Sequence, residues 1–539
     1  MAVNDYSRRD FLRLTRGALG LGILASAFPR TISAQITDWR FRPDQKSVET
    51  SIASFCKSGK RSPNVIILMA DQLPVFMCGC YGHRSVKTPT IDALARNGAV
   101  FDAAYCSSPI CAPSRASIMT GLHVHKHEVW DNAAPLRCDL PTFAHSFSAA
   151  GYRTILCGKM HFVGPDQMHG FDERWTQDIY PATFDWTRSN RKQVAVNDGQ
   201  NIDRVYGAGM GYTPDMDYDK EVLFRTEHGL KRIARKSRND PFMLLVSFTG
   251  PHHPYKAPKT YWDLYSDEDV DLPEIPKDYQ KREHEHVKWV RRHGRFDRLV
   301  PDKVCRTARH ASLARTTMID DYLARIIALL GELKMAENTI VVFTTDHGDM
   351  LGEHGLWFKN TSYGWSSRVP FIVTGPGIPA QRISEPVTLL DLGPTLCRLA
   401  GVKPIYERID GRDISDLVLG KRSSEPGEAI MENYGEGVCR GWRMIRKGQY
   451  KMVYVPGYEP ELFDLPKDPN EWNNVVNDPA YKEIRTELET AVLRDWKNHD
   501  ELEEKRYQSE ERRIAIRKVG QKLDWQKKSE PVPHPSQDW

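Results

Sequence analysis

NVIILMA at residues 64–70 and TIVVFTT at residues 339–345 are the apolar runs from which the architecture can be predicted. Both have the length and composition typical of strands that are buried on both faces, as in a parallel sheet. Three more runs are of this kind: RTILCG (153–158), FMLLVSF (242–248) and VPFIV (369–373). Helix-like stretches separate the runs, among them PTIDALARNG (89–98) and MIDDYLARIIALLGEL (318–333). We therefore predict an α/β fold with a large, mainly parallel central sheet flanked by helices.

Polar side chains follow four of these runs, at the point where each predicted strand ends. Asp71 and Gln72 follow NVIILMA, and Lys159 and His161 follow RTILCG. His252 follows FMLLVSF, and Asp346 and His347 follow TIVVFTT. Active sites of open α/β sheets lie beyond the carboxyl ends of the strands. Any one of these residues alone would more simply be a surface group, but their shared position predicts a common site.

The composition is that of an ordinary globular protein. Of 539 residues, 40% are hydrophobic and 27% are charged, and the formal net charge is +4. These values exclude a mainly disordered chain and a multi-span membrane protein, and the charge does not indicate a nucleic-acid partner. The ten cysteines are too few for a disulfide scaffold.

The first residues have the order of features of an export signal. SRRDFL (7–12) forms a twin-arginine pattern, an apolar stretch follows at 17–28, and ASA (25–27) fits a cleavage site, with Ala34 as a weaker alternative. The apolar stretch is shorter than the ~20 residues that span a bilayer. We predict that residues 1–34 are a Tat signal peptide, that the Tat translocase is a partner, and that the protein is periplasmic or secreted without a stable membrane span. The alternative is a basic amphipathic helix.

The rest of the chain is predicted to have four parts. Residues 35–60 are polar and form a flexible lead-in, and residues 61–403 form the main α/β domain. Residues 404–480 form a smaller α+β subdomain, with strands in RMIRKG and KMVYV between 443 and 455. Residues 481–539 mix Glu with Lys and Arg at close spacing, which is typical of a solvated, charged helical tail.

The segment SSPICAPSRASIMTG (107–121) is predicted to place Cys111 at the N-terminus of a helix. Pro113 suits the first turn of a helix, and Gly121 can end it. Free backbone N–H groups and the helix dipole favour an anion at that point. Arg115, one turn later, can direct a bidentate donor fork to the same place.

The CAPSR pentapeptide (111–115) resembles the C-x-P-S-R motif of type I sulfatases, in which the cysteine is oxidised to formylglycine. Other motifs of that family follow in order: Asp71 after the first strand, the K-x-H pair Lys159 and His161, His252 in PHHPY, and Asp346, His347 and Lys359 in DHGDMLGEHGLWFK. The resemblance covers about residues 62–475. It implies the alkaline-phosphatase-like sulfatase fold and the hydrolysis of a sulfate monoester.

Several runs are similar to choline sulfatases in particular: MADQL (69–73), DNAA (131–134), PTFAH (141–145), GKMHFVGPDQMHGFDER (158–174), DIYPA (178–182) and LDWQKKSEP (523–531). Two features differ from that branch. One is the export signal, and the other is Gly364–Trp365, where the family often has a Glu-Gly pair. The resemblance therefore implies the reaction and leaves the substrate open among choline sulfate, another small organosulfate and a sulfated sugar.

The resemblance also implies a nucleophile and a metal. Hydrated formylglycine at Cys111 would attack sulfur with one hydroxyl, and the second hydroxyl would later expel sulfate. Asp71, Asp346, His347 and the modified Cys111 would hold a divalent cation, with Gln72 supporting the sulfate or the metal. Carboxylates suit Ca²⁺, while the nitrogen donor leaves Mg²⁺ or Mn²⁺ open. The modification requires a formylglycine-generating enzyme or an anaerobic sulfatase-maturating enzyme as a partner.

The remaining site residues would supply charge and protons. Arg115 and Lys159 would stabilise the diol and the sulfate oxygens, as preorganised charge does for any oxyanion. His161 would be the base of the elimination step, and His252 and Lys359 would protonate or polarise the leaving oxygen.

A choline-type substrate would carry a cation, which aromatic faces can hold. The candidates near the site are Trp130, Phe162, Trp175, Tyr180 and Trp357. The choline-type resemblance also suggests a homo-oligomer formed through the C-terminal tail. Two other functions fit parts of the pattern: a phosphonate monoester hydrolase or phosphodiesterase of the same superfamily, which the K-x-H pair disfavours, and a non-catalytic anion-binding protein on the same scaffold.

Overall fold

A computed structural model describes residues 43–55, 62–187, 199–236, 240–421 and 426–522. Its strands, in chain order, are β1 Asn64–Asp71, β2 Ala99–Phe101, β3 Ala104–Tyr105, β4 Arg153–Gly158, β5 Glu173–Arg174, β6 Gly209–Met210, β7 Phe242–Pro251, β8 Lys256–Ala257, β9 Thr339–Thr345, β10 Phe371–Thr374, β11 Gln381–Ile383, β12 Val387–Thr388, β13 Glu428–Asn433, β14 Trp442–Lys447, β15 Tyr450–Tyr454 and β16 Glu461–Asp464.

Its α-helices, in chain order, are α1 Gln45–Phe55, α2 Pro89–Arg96, α3 Cys111–Thr120, α4 Val124–His127, α5 Phe143–Ala149, α6 Ile202–Tyr206, α7 Pro214–Lys236, α8 Lys259–Trp262, α9 Glu285–Gly294, α10 Asp302–Glu332, α11 Gly364–Ser367, α12 Leu392–Ala400, α13 Ser415–Val418, α14 Lys482–Val492 and α15 His499–Lys522.

An eight-stranded sheet forms the centre of the fold, in the order β11-β2-β10-β9-β1-β7-β4-β5. The four strands that precede the predicted site residues, β9, β1, β7 and β4, are parallel neighbours in its middle. Their carboxyl ends are level, since Ala70 of β1 pairs with Thr345 of β9 and Gly158 of β4 pairs with Ser247 of β7. Residues that follow these strands therefore reach one edge of the sheet.

The apolar runs form central strands because both faces of the sheet are covered. Along β1, Val65 and Ile67 belong to one hydrophobic cluster, whereas Ile66 and Leu68 belong to another on the opposite face. Successive strand residues point to opposite faces, so a strand that is covered twice must be apolar throughout. Each fully buried Leu or Ile contributes about 1.5–3 kcal/mol.

The edge beyond β9 departs from the prediction, because VPFIV becomes an antiparallel strand. β10 runs antiparallel to both β9 and β2, while the other neighbours in the sheet pair in parallel. A parallel return needs a crossover along a face of the sheet. Residues 346–370 instead include the site segment at the carboxyl edge, and the chain re-enters the sheet from that edge. The sheet is thus mixed, with a parallel centre.

A second sheet of four antiparallel strands, β13-β14-β15-β16, confirms the small C-terminal α+β unit. Helix α14 packs on this sheet, because Leu488 and Val492 share a cluster with Ile445 and Met452. Residues 482–492 are therefore part of the C-terminal unit, whereas the prediction placed them in a solvated tail. The predicted extended arm, residues 523–539, lies outside the described residues.

The lead-in also differs from the prediction. Residues 45–55 form α1, whose Val48, Ile52 and Phe55 are buried in the core that contains α10. The spacing i, i+4, i+7 puts these side chains on one helical face, which a polar average composition conceals. The predicted signal peptide, residues 1–34, lies outside the described residues. Among the described helices, none is long and apolar enough to cross a membrane.

Candidate active site

Cys111 is the first residue of α3, and all ten residues of this helix are buried. The N-cap residue, Ile110, offers no capping side chain, and Gly121 in the left-handed conformation (φ 68°) ends the helix. The first N–H groups of the helix thus point to the carboxyl edge of the central sheet. The structure places the cysteine where the sequence predicts it, in a position that favours an anion.

Two lysines lie against the sulfur of Cys111. Lys359 Nζ donates to Cys111 Sγ at 2.8 Å, and Lys159 Nζ donates to it at 3.6 Å. Burial would raise the pKa of the thiol, but Lys159, Lys359 and His347 together lower it well below its usual value. The cysteine therefore occupies a strongly electropositive, water-poor pocket, which suits a nucleophile for an anionic ester.

Gly158 is what allows Lys159 to turn into this pocket. Its φ is +111°, and a Cβ at this position would stand 1.9 Å from the carbonyl oxygen of Ser247. Only glycine can hold β4 this close to β7 in this conformation. The following N–H, that of Lys159, donates to the same carbonyl at 3.0 Å.

Arg115 is buried and joins two carboxylates. Its Nε donates to Asp346 Oδ2 and its Nη2 to Asp71 Oδ2, both at 2.9 Å. Its Nη1 donates to the carbonyl of Lys159 at 2.6 Å and to Ser247 Oγ at 2.8 Å. Because four of its N–H bonds are engaged by protein, this guanidinium chiefly positions the carboxylates and the Lys159 segment, rather than reaching for a sulfate oxygen.

The carboxylates and His347 form a compact donor cluster with Cys111. One ligand atom from each of Asp71, Cys111, Asp346 and His347 lies within 4.8 Å of all the others, and all four residues are buried. Burial and the neighbouring Cys111 would raise the pKa of Asp71, but Lys159, His252 and Arg115 bring it to about 2. Asp71 is therefore ionised at neutral pH and available as an oxygen ligand.

Gln72 supports this cluster from the side. Its backbone N–H donates to Asp346 Oδ1 at 3.1 Å, and its Nε2 donates to Asp349 Oδ2 at 2.6 Å. Its Oε1 is buried without a hydrogen-bond partner in the described structure. Two carboxylates, one imidazole and this orphaned amide oxygen fit a divalent cation that prefers oxygen.

The geometry assigns a proton position to each of two further histidines. His161 Nε2 lies 3.0 Å from the carbonyl of Asn132 and so carries the proton, which leaves its buried Nδ1 as a bare lone pair. His252 Nδ1 lies 2.6 Å from the carbonyl of His253, and its Nε2 accepts from Lys359 at 3.4 Å. Burial and Lys359 lower the pKa of His252, so its imidazole is neutral.

A cavity of about 390 Å³ opens above Cys111. Its walls include Tyr180 and Trp186, whose rings are 4.7 Å apart, and the carboxyl group of Glu436. Burial raises the pKa of Glu436 to about 7, and its Oε2 is buried without a hydrogen-bond partner in the described structure. The cavity thus has Cys111, backed by two buried lysines, at one end, and acidic and aromatic side chains on its wall.

Of the five aromatic candidates from the sequence, Tyr180 lines this cavity. The other four do not line it and are buried among core residues: Trp130, Phe162, Trp175 and Trp357. Gly364 and Trp365 also lie elsewhere. The Trp365 ring packs at a tilt against Phe76, with 4.9 Å between centroids, and neither residue lines the cavity.

Sequence reasoning missed Trp186, Glu436 and Asn132 as residues of the site. Asn132 Oδ1 accepts from the backbone N–H of Ala112 at 2.9 Å, which fixes the start of α3. The DNAA run (131–134) carried a signal for this residue. Glu436 and Trp186 lie in stretches without strand or helix periodicity, and the sequence carries no signal that either residue belongs to the site.

Comparisons with known proteins agree with this geometry. The family model "Sulfatase" matches residues 63–402, and a model for the C-terminal part of N-sulphoglucosamine sulphohydrolase matches residues 352–498. The chain belongs to the sulfatase family. It is therefore a sulfuric ester hydrolase, and the predicted alkaline-phosphatase-like fold is confirmed.

Individual relatives cover most of the chain. A choline-sulfatase of Rhizobium meliloti is 40% identical over 428 residues, which are 77% of this chain and 83% of that protein. An arylsulfatase of Clostridium perfringens is 28% identical, covering 81% of this chain and 95% of that protein. The crystal structure of a phosphonate monoester hydrolase of Agrobacterium radiobacter superposes with a TM-score of 0.64 at 22% identity, covering 80% of this chain and 95% of that one, and this likeness shows the fold alone.

Proposed function

We propose that this sulfatase hydrolyses a small organosulfate whose alcohol carries a cation, with choline sulfate as the leading candidate. The observation that carries the proposal is the polarity of the cavity. Cys111 lines the cavity with the buried ammonium groups of Lys159 and Lys359 against its sulfur, and Glu436 with two aromatic rings stands on the wall. A zwitterionic ester matches this separation of charge, and the 40% identical choline-sulfatase supports it.

The cation end of such a substrate would meet Tyr180, Trp186 and Glu436. A quaternary ammonium over an aromatic face gains about 0.5–2 kcal/mol. A cation near Glu436 would also favour its ionised form and give its orphaned oxygen a partner. The neighbouring Asp131 is already paired with Arg513, so Glu436 is the better counter-ion.

The sulfate end would lie over Cys111, which we propose is oxidised to formylglycine. As its hydrate, formylglycine would supply one hydroxyl to attack sulfur and a second whose deprotonation would expel sulfate and restore the aldehyde. A divalent cation held by Asp71, Asp346 and His347, Ca²⁺ or else Mg²⁺ or Mn²⁺, would polarise the ester oxygens. Lys159 and Lys359 lie where they can neutralise the charge of the sulfate.

Protons would move through the two histidines of the site. The bare Nδ1 of His161 suits the base of the elimination step. Lys359 shares a hydrogen bond with His252 Nε2, so this pair can deliver a proton to the leaving oxygen and recover it from solvent.

The decisive experiment compares sulfate release by the purified protein from choline sulfate, an aryl sulfate and a sulfated sugar, with a phosphonate monoester as a further substrate. We expect the highest kcat/KM for choline sulfate, an aldehyde at Cys111 by mass spectrometry, and no turnover by Cys111→Ala. Faster cleavage of the phosphonate would contradict the proposal. A wild-type protein that carries the aldehyde and prefers the sugar would contradict the substrate and leave the reaction intact.

We also propose a route to the active protein. The twin-arginine pattern supports export through the Tat translocase to the periplasm or beyond, after a formylglycine-generating or an anaerobic maturating enzyme has modified Cys111 in the cytoplasm. The tail supports assembly into a homo-oligomer. Replacement of both Arg8 and Arg9 by Lys should retain the protein in the cytoplasm, as measured by cell fractionation.

A further inference from the structure

A second cluster of metal-ligating side chains lies outside the cavity, where α9 meets the C-terminal sheet. It consists of His284, which caps the N-terminus of α9, His286 in the first turn, and Glu461 at the start of β16. One ligand atom of each residue lies within 4.8 Å of the other two. The two Nδ1 atoms are 2.9 Å apart, and His286 Nδ1 is 3.6 Å from Glu461 Oε2.

Glu461 provides the independent sign of a missing partner. Its side chain is only 3% exposed, and its Oε2 points at His286 without a hydrogen bond in the described structure. The nearby ammonium of Lys451 is engaged by Glu471 and by the carbonyl of Ser362. A buried carboxyl oxygen without a partner costs free energy, so a site that completes it is favoured.

The outer nitrogen atoms of both imidazoles are already held. His284 Nε2 lies 2.8 Å from the carbonyl of Glu459, and His286 Nε2 lies 3.4 Å from Ser362 Oγ. The carbonyl of Glu459 fixes the proton of His284 on Nε2, so its Nδ1 holds a lone pair, which accepts from the backbone N–H of His286 at 3.3 Å and would turn to an ion on binding. A proton donated from His286 Nε2 to Ser362 Oγ would likewise leave His286 Nδ1 as a ligand atom. Metal-bound histidines usually make such an outer hydrogen bond.

We propose that His284, His286 and Glu461 bind a structural zinc ion. Two imidazoles and one carboxylate are a common zinc donor set, and bonds of 2.0–2.1 Å require donors about 3.3 Å apart in a tetrahedron. The observed 2.9 and 3.6 Å lie on either side of this value. His284 is only partly buried, so an ion can enter from solvent and keep water as its fourth ligand. Two nitrogen donors favour zinc over Ca²⁺ or Mg²⁺.

The site would brace the active-site loop from outside. Zinc joins the start of α9 to β16, and His286 contacts Ser362, three residues after Lys359. Its ring also lies 5.4 Å from that of Trp442 in β14. A ligand that binds only the folded state stabilises it, so zinc should raise the melting temperature.

The test separates this site from the active-site cluster. Protein stripped with a chelator is incubated with zinc chloride, passed through a desalting column and analysed for zinc per chain and for Tm. All proteins carry Asp346→Asn, which removes a donor from the active-site cluster, and no readout depends on turnover. His284→Asn retains a good helix cap but loses the imidazole, and Glu461→Gln retains the shape of the side chain.

We expect the Asp346→Asn protein to retain one zinc per chain and to gain several degrees in Tm. Each added substitution should abolish both effects, while circular dichroism remains that of a folded protein. Retention of zinc after either substitution would overturn the proposal. An Asp346→Asn protein that binds no zinc would overturn it as well, whatever the substrate of the enzyme proves to be.

Discussion

Lys359 Nζ donates to Cys111 Sγ at 2.8 Å and to His252 Nε2 at 3.4 Å, so one ammonium serves both the nucleophile position and the neighbouring imidazole. The charged neighbours hold the pKa of Lys359 above its usual value despite burial, mainly through Cys111 and Asp71. Lys359 therefore stays a cation although its side chain is fully buried.

Replacement of Lys359 by Ala should lower kcat for an aryl sulfate by about 10²–10⁴-fold, because the variant loses both charge and a proton donor. Lys359→Arg keeps the positive charge, so its kcat should fall less than that of Lys359→Ala. Turnover is measured by sulfate release, and mass spectrometry must show the same aldehyde content in all three proteins. An unchanged kcat for Lys359→Ala at equal aldehyde content would contradict this role.

The position of Lys359 was predictable from its motif, and the parallel centre of the sheet from β1 and β9. Burial on both faces forces an unbroken apolar run, and the predicted bounds of TIVVFTT agree with Thr339–Thr345. The direction of β10 was not predictable, since VPFIV reads the same in either orientation and the return path of residues 346–370 sets it.

Other parts of the site depend on tertiary contacts that no local pattern encodes. Glu436 becomes a wall residue only because its loop and Asn132 meet above Cys111. The helix α1 was missed for a different reason: its apolar face holds only Val48, Ile52 and Phe55 in an otherwise polar segment. The spacing of these three residues is present in the sequence, but the average composition of the segment is polar and indicates a loop instead.

Arg513 of α15 should control substrate affinity. Its two terminal nitrogens donate to Asp131 Oδ1 and Oδ2 at 2.7 and 2.8 Å, and Arg517 on the same helix donates to the carbonyls of Asp185 and Thr187. Asp131 and Asp185 both line the cavity. The helix thus holds the wall that carries Trp186.

Arg513→Met should raise KM for the preferred sulfate ester by about tenfold or more, with a smaller effect on kcat, because the wall shifts while the floor keeps its contacts. The half-buried carboxylate of Asp131 loses its ion pair, so Tm should also fall. Arg512→Ala, at an exposed position of the same helix, is the matched control. Equal losses of kcat and affinity would argue against a role confined to the wall.

The choice of cation should depend on His347, the one nitrogen donor among the proposed ligands. Dialysis against a chelator should abolish turnover, and Ca²⁺, Mg²⁺ and Mn²⁺ can then be compared for reactivation. His347→Asp makes the donor set all oxygen, which should shift the ratio of half-reactivating concentrations by about tenfold in favour of Ca²⁺ over Mn²⁺. An unchanged ratio would show that His347 does not contact the cation.

His127 should make the fold sensitive to acid. Its Nδ1 accepts from the N–H of Val129 at 3.0 Å, so the proton sits on Nε2, which lies 2.9 Å from Ser117 Oγ. A second proton would break the bond to Val129, and burial lowers the pKa of His127 to about 3, against about 6.5 in an unfolded chain. Below pH 6.5 the unfolded chain thus binds one more proton at this residue. Its contribution to stability is full above pH 6.5 and falls by up to about 1.4 kcal/mol per pH unit towards pH 3.

Urea unfolding between pH 7.5 and 5 should show this slope in the free energy of unfolding. In His127→Asn the slope should be smaller by up to the equivalent of one bound proton. In His228→Asn, which alters an exposed residue of α7, the slope should be unchanged. A slope that His127→Asn leaves intact would assign the acid sensitivity to other groups.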